Sequence, residues 1–340
     1  MNADPPRHGA RPKPYFLLLI LCNLMWAFQY TGAKIATRQL GPITVTFLPM
    51  AAATILLGFL LLARRGRKNA KSLLERGSFL QQLLNFVALG VVGCVLSQFC
   101  ITAGIKRSLA SNASIITLTI PVLTALLATL LVGEKMSRLL WVSFALAIAG
   151  VLLVSDVDWH TVQIFHGKYL VGNVLILAGC FGSGFYNAFS KRLLRTFTPL
   201  EVVFYSFLVA DVALFFAMLS REPLSRKLLM SLGPAVWLSL AMIAIFSLSM
   251  AMMLFFWVID RINLTQAALS IYLLPVFGVL ISTVTLKERL RWQLVAGGLL
   301  VFVGTLLATR YEGRKSAREA SEQAMGSEGQ AAASTTNSRT

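Results

Sequence analysis

Acidic residues are scarce in this chain: 14 Asp and Glu stand against 31 Lys and Arg, and charged residues of both signs make up only 13%. Soluble domains carry about 25%, so the chain is matched to a bilayer rather than to water. The resulting net charge of +17 raises nucleic acid as a partner. The basic residues, however, fall in short clusters between apolar runs, which is the pattern of membrane topology signals and excludes a nucleic-acid-binding face. Histidine is nearly absent. His8, His160 and His166 all lie outside the apolar runs, so a membrane-embedded hydrolase or metalloprotease lacks its usual base and ligands. The cysteines, Cys22, Cys94, Cys100 and Cys180, form no CxxC pair; neither a zinc site nor a disulfide framework is indicated, and they read as small buried hydrophobes. There is no GxxxxGK[ST] loop and no nucleophile–base pair. An enzyme, an ATP-driven pump and a bound cofactor are therefore not expected.

What is present is apolar sequence, 56% of the chain. It falls into ten candidate spans at about 15–35, 43–63, 83–105, 109–132, 139–155, 169–190, 200–220, 234–259, 264–286 and 290–309. Most approach the roughly 20 residues that a helix needs to cross a bilayer. Runs this continuous do not alternate as barrel strands must, so the expected class is an all-α integral membrane protein. Residues 1–14 are polar, basic and rich in proline, and 310–340 are rich in Ala, Ser, Glu and Gln. Both read as disordered tails. The RRGRK cluster at 64–68 leads the positive-inside bias and places both termini in the cytoplasm, with the inner (plasma) membrane as the expected location.

The spans repeat. An offset of 154 residues carries Arg107 onto Arg261, Ala113 onto Ala267, Pro121 onto Pro275, Glu134 onto Glu288 and Gly150 onto Gly304. Nearer the start of each copy the offset is 157, which carries Lys34 onto Lys191 and the Gly41-Pro42 turn onto Thr198-Pro199. The units are 15–155 and 169–309, joined by a linker at 156–168. Five spans per unit is an odd number, so the second copy enters the membrane from the opposite side. Ten transmembrane helices as two inverted five-helix repeats is an architecture typical of secondary transporters, with the substrate site near the bilayer midplane.

At this point the residues resemble a known family. Asn23-Leu-Met-Trp-Ala followed by Lys34, the Gly41-Pro42 turn, Ile120-Pro121-Val122, Gly133-Glu134-Lys135, Leu274-Pro275-Val276, Lys287-Glu288-Arg289, Gly150 and Gly304 are similar to the EamA-type family of the drug/metabolite transporter superfamily. The resemblance covers roughly 15–309. It implies export of small organic metabolites, such as amino acids, drugs or related amphipathic compounds. The chain departs from the pattern in having Leu48-Pro49 where many relatives carry an arginine, and Ser183 where the first copy has Trp26.

Several residues are candidates for the transport machinery. Pro121 and Pro275 each free the carbonyl four residues back and bend the helix; they are either related bends of the moving elements or plain structural kinks. Lys34 with Glu288, and Lys191 with Glu134, are placed at opposite membrane faces by the inverted repeat. They are candidate gate or hinge pairs, with solvated, snorkelling charge as the alternative. Asp211 is the one acidic residue near the centre of a span and is a candidate proton-coupling site or cation ligand, or else a hydrogen-bonded structural aspartate. Its repeat counterpart is Thr54, so symmetry lends it no support. Asn23, Trp26, Gln29, Gln98, Asn112, Thr117, Tyr186, Asn187, Trp257, Gln266 and Tyr272 are candidates to line a substrate cavity, or to act as interhelical hydrogen-bond glue. No Arg or Lys lies at mid-depth, which argues against the leading alternative, an exchanger of phosphorylated metabolites or nucleotide sugars. A non-transport membrane enzyme or scaffold is the remaining one.

Overall fold

The computed structural model describes residues 12–65, 78–132, 138–154, 169–194, 196–259, 273–307 and 310. Glu134, Gln266 and Tyr272 lie outside the described residues, as do the expected linker at 156–168, residues 1–11 and 311–340 of the expected tails, and the side chains of Lys191 and Trp257.

The fold is helical throughout the described residues. The helices are α1 (Pro12–Ala36), α2 (Pro42–Arg65), α3 (Phe79–Arg107), α4 (110–132), α5 (Arg138–Val154), α6 (Leu170–Leu193), α7 (Pro199–Arg221), α8 (234–259), α9 (Leu273–Leu286) and α10 (Trp292–Leu307). A short helix at Arg226–Ser231 sits between α7 and α8. Among the described residues six helices are long and apolar enough to cross a membrane: Pro42–Ala63, Phe79–Arg107, Ala110–Leu127, Leu170–Ser190, Pro199–Arg221 and Pro234–Phe255. The chain is a multi-pass integral membrane protein. Large apolar side chains such as Phe59, Phe216, Val284 and Trp292 stand outward. Water would oppose that exposure, whereas lipid tails accept it.

The helix starts are local chemistry. Pro42, Pro199 and Pro234 open α2, α7 and α8, where the missing N–H is no loss and φ is already helical. Thr198 and Glu201 complete a capping box on α7, which satisfies two otherwise orphaned amides.

Three helices depart from regular α geometry. α3 is π-helical over Leu89–Val95 and α8 over Ile243–Ala251. The two segments begin 154 residues apart. α4 tightens to a 3-10 turn at Thr117–Thr119, just before Pro121. Pro121 has no N–H for the Thr117 carbonyl, and the Ile120 N–H takes that carbonyl instead. The bend expected at Pro121 thus has a local hydrogen-bond solution. Pro275 lies in α9, and the carbonyl that it would free, Ile271, is outside the described residues.

Packing crosses the chain's midpoint. α1 lies along α8 and α9, α2 along α7, α3 along α6, and α4 along α6 and α9. Small residues set the closest approaches. A Cβ on Gly150 would stand 2.6 Å from the Gly297 carbonyl oxygen and 2.9 Å from Val301 N. A Cβ on Gly304 would stand 2.7 Å from the Ser143 carbonyl oxygen and 3.2 Å from Ala147 N. Backbones this close need glycine at the crossing.

Candidate functional site

Polar side chains meet where α1, α3 and α8 converge. Gln29 Nε2 donates to Gln98 Oε1 at 2.7 Å. Ser247, within the π-helical segment of α8, donates to Gln29 Oε1 at 2.6 Å. Beside this chain, Ser97 of α3 and Ser183 of α6 share a hydrogen bond at 2.5 Å, and Tyr30 donates to Thr117 Oγ1 at 3.1 Å. The last contact ties α1 to the 3-10 turn before Pro121. Trp26, half-buried, sets its ring against Phe255 in a tilted pair, with centroids 5.1 Å apart. The cluster therefore combines apolar walls, an aromatic plane and amide groups able to donate and accept, as small-molecule sites do. Ser247 lies in the π-helical segment of α8, and Gln98 three residues past that of α3; such segments occur preferentially at functional positions.

Not every residue expected in a cavity joins it. Asn112 is buried elsewhere, at the α4 N-terminus, donating to Ser108 Oγ at 3.1 Å and the Val154 carbonyl at 3.3 Å. That contact network is a structural corner. Asn23 donates to the Leu19 carbonyl of its own helix at 2.8 Å. Tyr186 shares a 3.3 Å hydrogen bond with Ser206 of α7. Asn187 is exposed. Sequence reading missed Ser97, Ser183 and Ser247 as members, because a single serine within an apolar run looks the same whether it lines a site or bonds its own helix. A small hollow opens at the loop side of α4, lined by Asn112, Tyr169, Arg289 and Arg291 among others; none of the Gln29 cluster lines it.

Lys34 and Glu288 come together around one corner, but each binds backbone. Lys34 Nζ donates to the carbonyls of Ile105, at 2.8 Å, and of Ser108. These close the last turn of α3. Glu288 accepts from the amides of Ala110 and Ser111, each at 3.0 Å, and from Ser111 Oγ at 2.7 Å. Those groups open α4. A cation at a helix C-terminus and an anion at an N-terminus each complement the helix dipole. Glu288 follows Lys287, whose φ of 57° is the left-handed region, where a side chain is strained. A second glutamate does the same work nearby. Glu222, just past α7, accepts from the amides of Ile43 at 3.2 Å and Thr44 at 2.9 Å, and from Thr44 Oγ1 at 2.9 Å. Sequence reading did not single out Glu222.

Asp211 lies buried in α7, and its Oδ2 is 2.5 Å from Thr54 Oγ1 of α2. Its Oδ1 has no hydrogen-bond partner among the described residues. Among the described residues no group of three or more His, Cys, Asp or Glu is placed to hold a metal ion.

The sequence profile of the EamA-like transporter family matches residues 13–156 and 170–310. The chain belongs to this family. A protein of Archaeoglobus fulgidus, named an uncharacterized transporter, is 26% identical over 296 residues, covering 86% of this chain and 96% of that one. A protein of Streptantibioticus cattleyicolor, named a probable terminal-alkyne amino-acid exporter, is 24% identical over 300 residues, covering 86% and 92%. A solved crystal structure superposes with a TM-score of 0.57 at 20% identity, covering 89% of this chain and 98% of its own; at that identity it speaks for the fold alone. EamA-like proteins are transporters rather than enzymes, and this one works in a bilayer on a small-molecule substrate.

Proposed function

We propose that this protein is a secondary transporter that exports small organic metabolites, amino acids or related amphipathic compounds, by alternating access between two inverted five-helix halves. The observation that carries the reading is the reciprocity of the α5–α10 crossing. Gly150 meets Gly297 and Val301, while Gly304 meets Ser143 and Ala147. The 154-residue offset turns each contact into the other. Reciprocal contacts of this kind arise when two like halves face each other across a two-fold axis. The matching starts of the two π-helical segments support the same axis. Two related halves with a polar site between them is the arrangement through which secondary transporters alternate access.

In this reading both termini are cytoplasmic, the membrane is the inner (plasma) membrane, and the α1–α2 and α3–α4 turns lie outside. The conformation is then closed on the outside. Glu222 and Glu288 of the second half cap α2 and α4 of the first, and Lys34 holds the end of α3. Parting the halves on that side must break the two glutamate contacts. In the same reading Lys191 and Glu134 are the inner-side pair.

The substrate class follows from the site. Gln29, Gln98 and Ser247 offer uncharged donors and acceptors beside Trp26. No Arg or Lys lies at mid-depth in the spans to bind a phosphate there. The amino-acid exporter among its relatives points the same way. The test is efflux from proteoliposomes preloaded with a panel of radiolabelled amino acids. Efflux above empty liposomes that Gln29→Leu abolishes is the expected result. Loss of no panel member, combined with efflux of a sugar phosphate, would overturn the substrate class.

A further inference from the structure

Thr54 has one hydroxyl hydrogen and two acceptors in reach. Its Oγ1 is 2.5 Å from Asp211 Oδ2 and 2.9 Å from the Met50 carbonyl. A hydroxyl donates once and accepts twice. If Asp211 were a carboxylate, Thr54 could satisfy only one of the two acceptors. If Asp211 carries a proton on Oδ2, every hydrogen is placed: Asp211 donates to Thr54, and Thr54 donates to Met50. The other oxygen, Oδ1, is buried with no partner. A neutral acid tolerates a bare carbonyl oxygen, whereas a carboxylate oxygen in that position carries charge without compensation.

The surroundings supply no counter-charge. α2 has no ionic side chain between Pro42 and Ala63, α3 none between Phe79 and Ile105, and α6 none between Leu170 and Ser190. The titratable neighbours are the buried thiol of Cys94, on the π-helical segment of α3, and behind it the Tyr186 hydroxyl, bonded to Ser206. α7's own ionic groups, Glu201 and Arg221, are at or near its two ends. A metal cation in place of the proton would need several further oxygens around Oδ1, and the described residues bring none within hydrogen-bonding distance.

We infer that Asp211 is a proton-binding site: it holds its proton in this conformation and releases it when α2 and α7 move apart, coupling proton movement to the change of access. In the release step the Oδ2–H bond breaks, the proton passes to water, and the carboxylate is left hydrated. By linkage, the conformation that binds the proton more tightly gains population as pH falls. Acid therefore favours the conformation described here. This coupling rests on the transporter reading, whereas the proton on Asp211 stands without it.

Two measurements test the inference. Infrared spectra of the reconstituted protein at neutral pH should contain the C=O stretch of a protonated carboxylic acid, absent from Asp211→Asn and shifted in Thr54→Val. Asparagine keeps a donor for Thr54, so the variant should assemble. Spectra in which Asp211→Asn removes no such band would overturn the assignment. The second measurement places cysteines at Gln39 and Gly233, which meet across the outer loops at 3.1 Å, and bridges them with a short bifunctional thiol reagent. Bridging yield should rise on acidification, and Asp211→Asn should abolish that rise. A rise that survives in Asp211→Asn, or none in either protein, would overturn the coupling. Amino-acid efflux with no pH dependence would remove the coupling and leave the transporter reading intact; the infrared band without any efflux would remove the transporter reading, and the coupling with it, and leave the proton on Asp211.

Discussion

Thr54 and Asp211 touch at 2.5 Å and are 157 residues apart in sequence. That offset is the one that carries Lys34 onto Lys191 and the turn before α2 onto the turn before α7. Each residue is thus the repeat counterpart of the other. In the proposed inverted-repeat architecture, two counterparts meet where an axis relating the halves passes between them, and the α2–α7 crossing fits that place. Removing the hydroxyl leaves the acid with no hydrogen-bond partner among the described residues. Thr54→Val is expected to destabilise the detergent-purified protein by about 1–3 kcal/mol, and Asp211→Asn, which preserves a donor, by less. Thermal unfolding followed by intrinsic fluorescence orders the two; the opposite order would remove Thr54 from the account.

Lys34 and Glu288 should behave as two independent clamps. Each binds backbone of the α3–α4 corner, so the double charge exchange Lys34→Glu with Glu288→Lys should not restore what either single change loses. It should be worse than both, because it presents a cation to helix amides and an anion to helix carbonyls. Glu288→Ala alone is expected to cost about 0.5–2 kcal/mol, the range for loss of a helix cap. Rescue by the exchange, measured as transport or thermal stability, would restore a direct ion pair.

Gly41 makes room for Glu222. A Cβ at Gly41 would stand 2.0 Å from the Glu222 carboxyl carbon, so Gly41→Ala should expel the carboxylate from the start of α2. The substitution and Glu222→Ala then remove the same contact. Their double mutant should lose no more stability than the worse single one, a non-additivity of about 0.5–2 kcal/mol. Simple addition would show that the two residues act separately.

The reciprocal glycines should fail alike. Gly150→Leu and Gly304→Leu each push a side chain into the opposing backbone, with an expected cost of about 1–3 kcal/mol for overpacking. Comparable losses of melting temperature fit two related contacts. A large loss at one position and none at the other would break the equivalence.

The positions of the helices were legible because bilayer chemistry leaves little choice: backbone must close on itself, and apolar length marks the spans. Gln29 and Gln98 were legible for the same reason, since large amides stand out in apolar runs. The role of Lys34 and Glu288 was not. Sequence gives their depth in the membrane, whereas their partners are backbone groups that every residue carries. For Asp211, the repeat offers a counterpart, Thr54, that lends no support by identity; that the two counterparts touch is visible only in three dimensions. The π-helical segments have no sequence marker here, because neither contains proline and both read as ordinary apolar helix.

The central claim is that the two halves must part on the outer side for substrate to move. Bridging Gln39→Cys to Gly233→Cys, one in each half, tests it in proteoliposomes loaded with radiolabelled amino acids. The native cysteines are all buried, which confines the reagent to the introduced pair. The expected result is efflux that stops on bridging and returns when a cleavable bridge is reduced. Efflux that continues undiminished with the bridge in place would contradict alternating access through these halves.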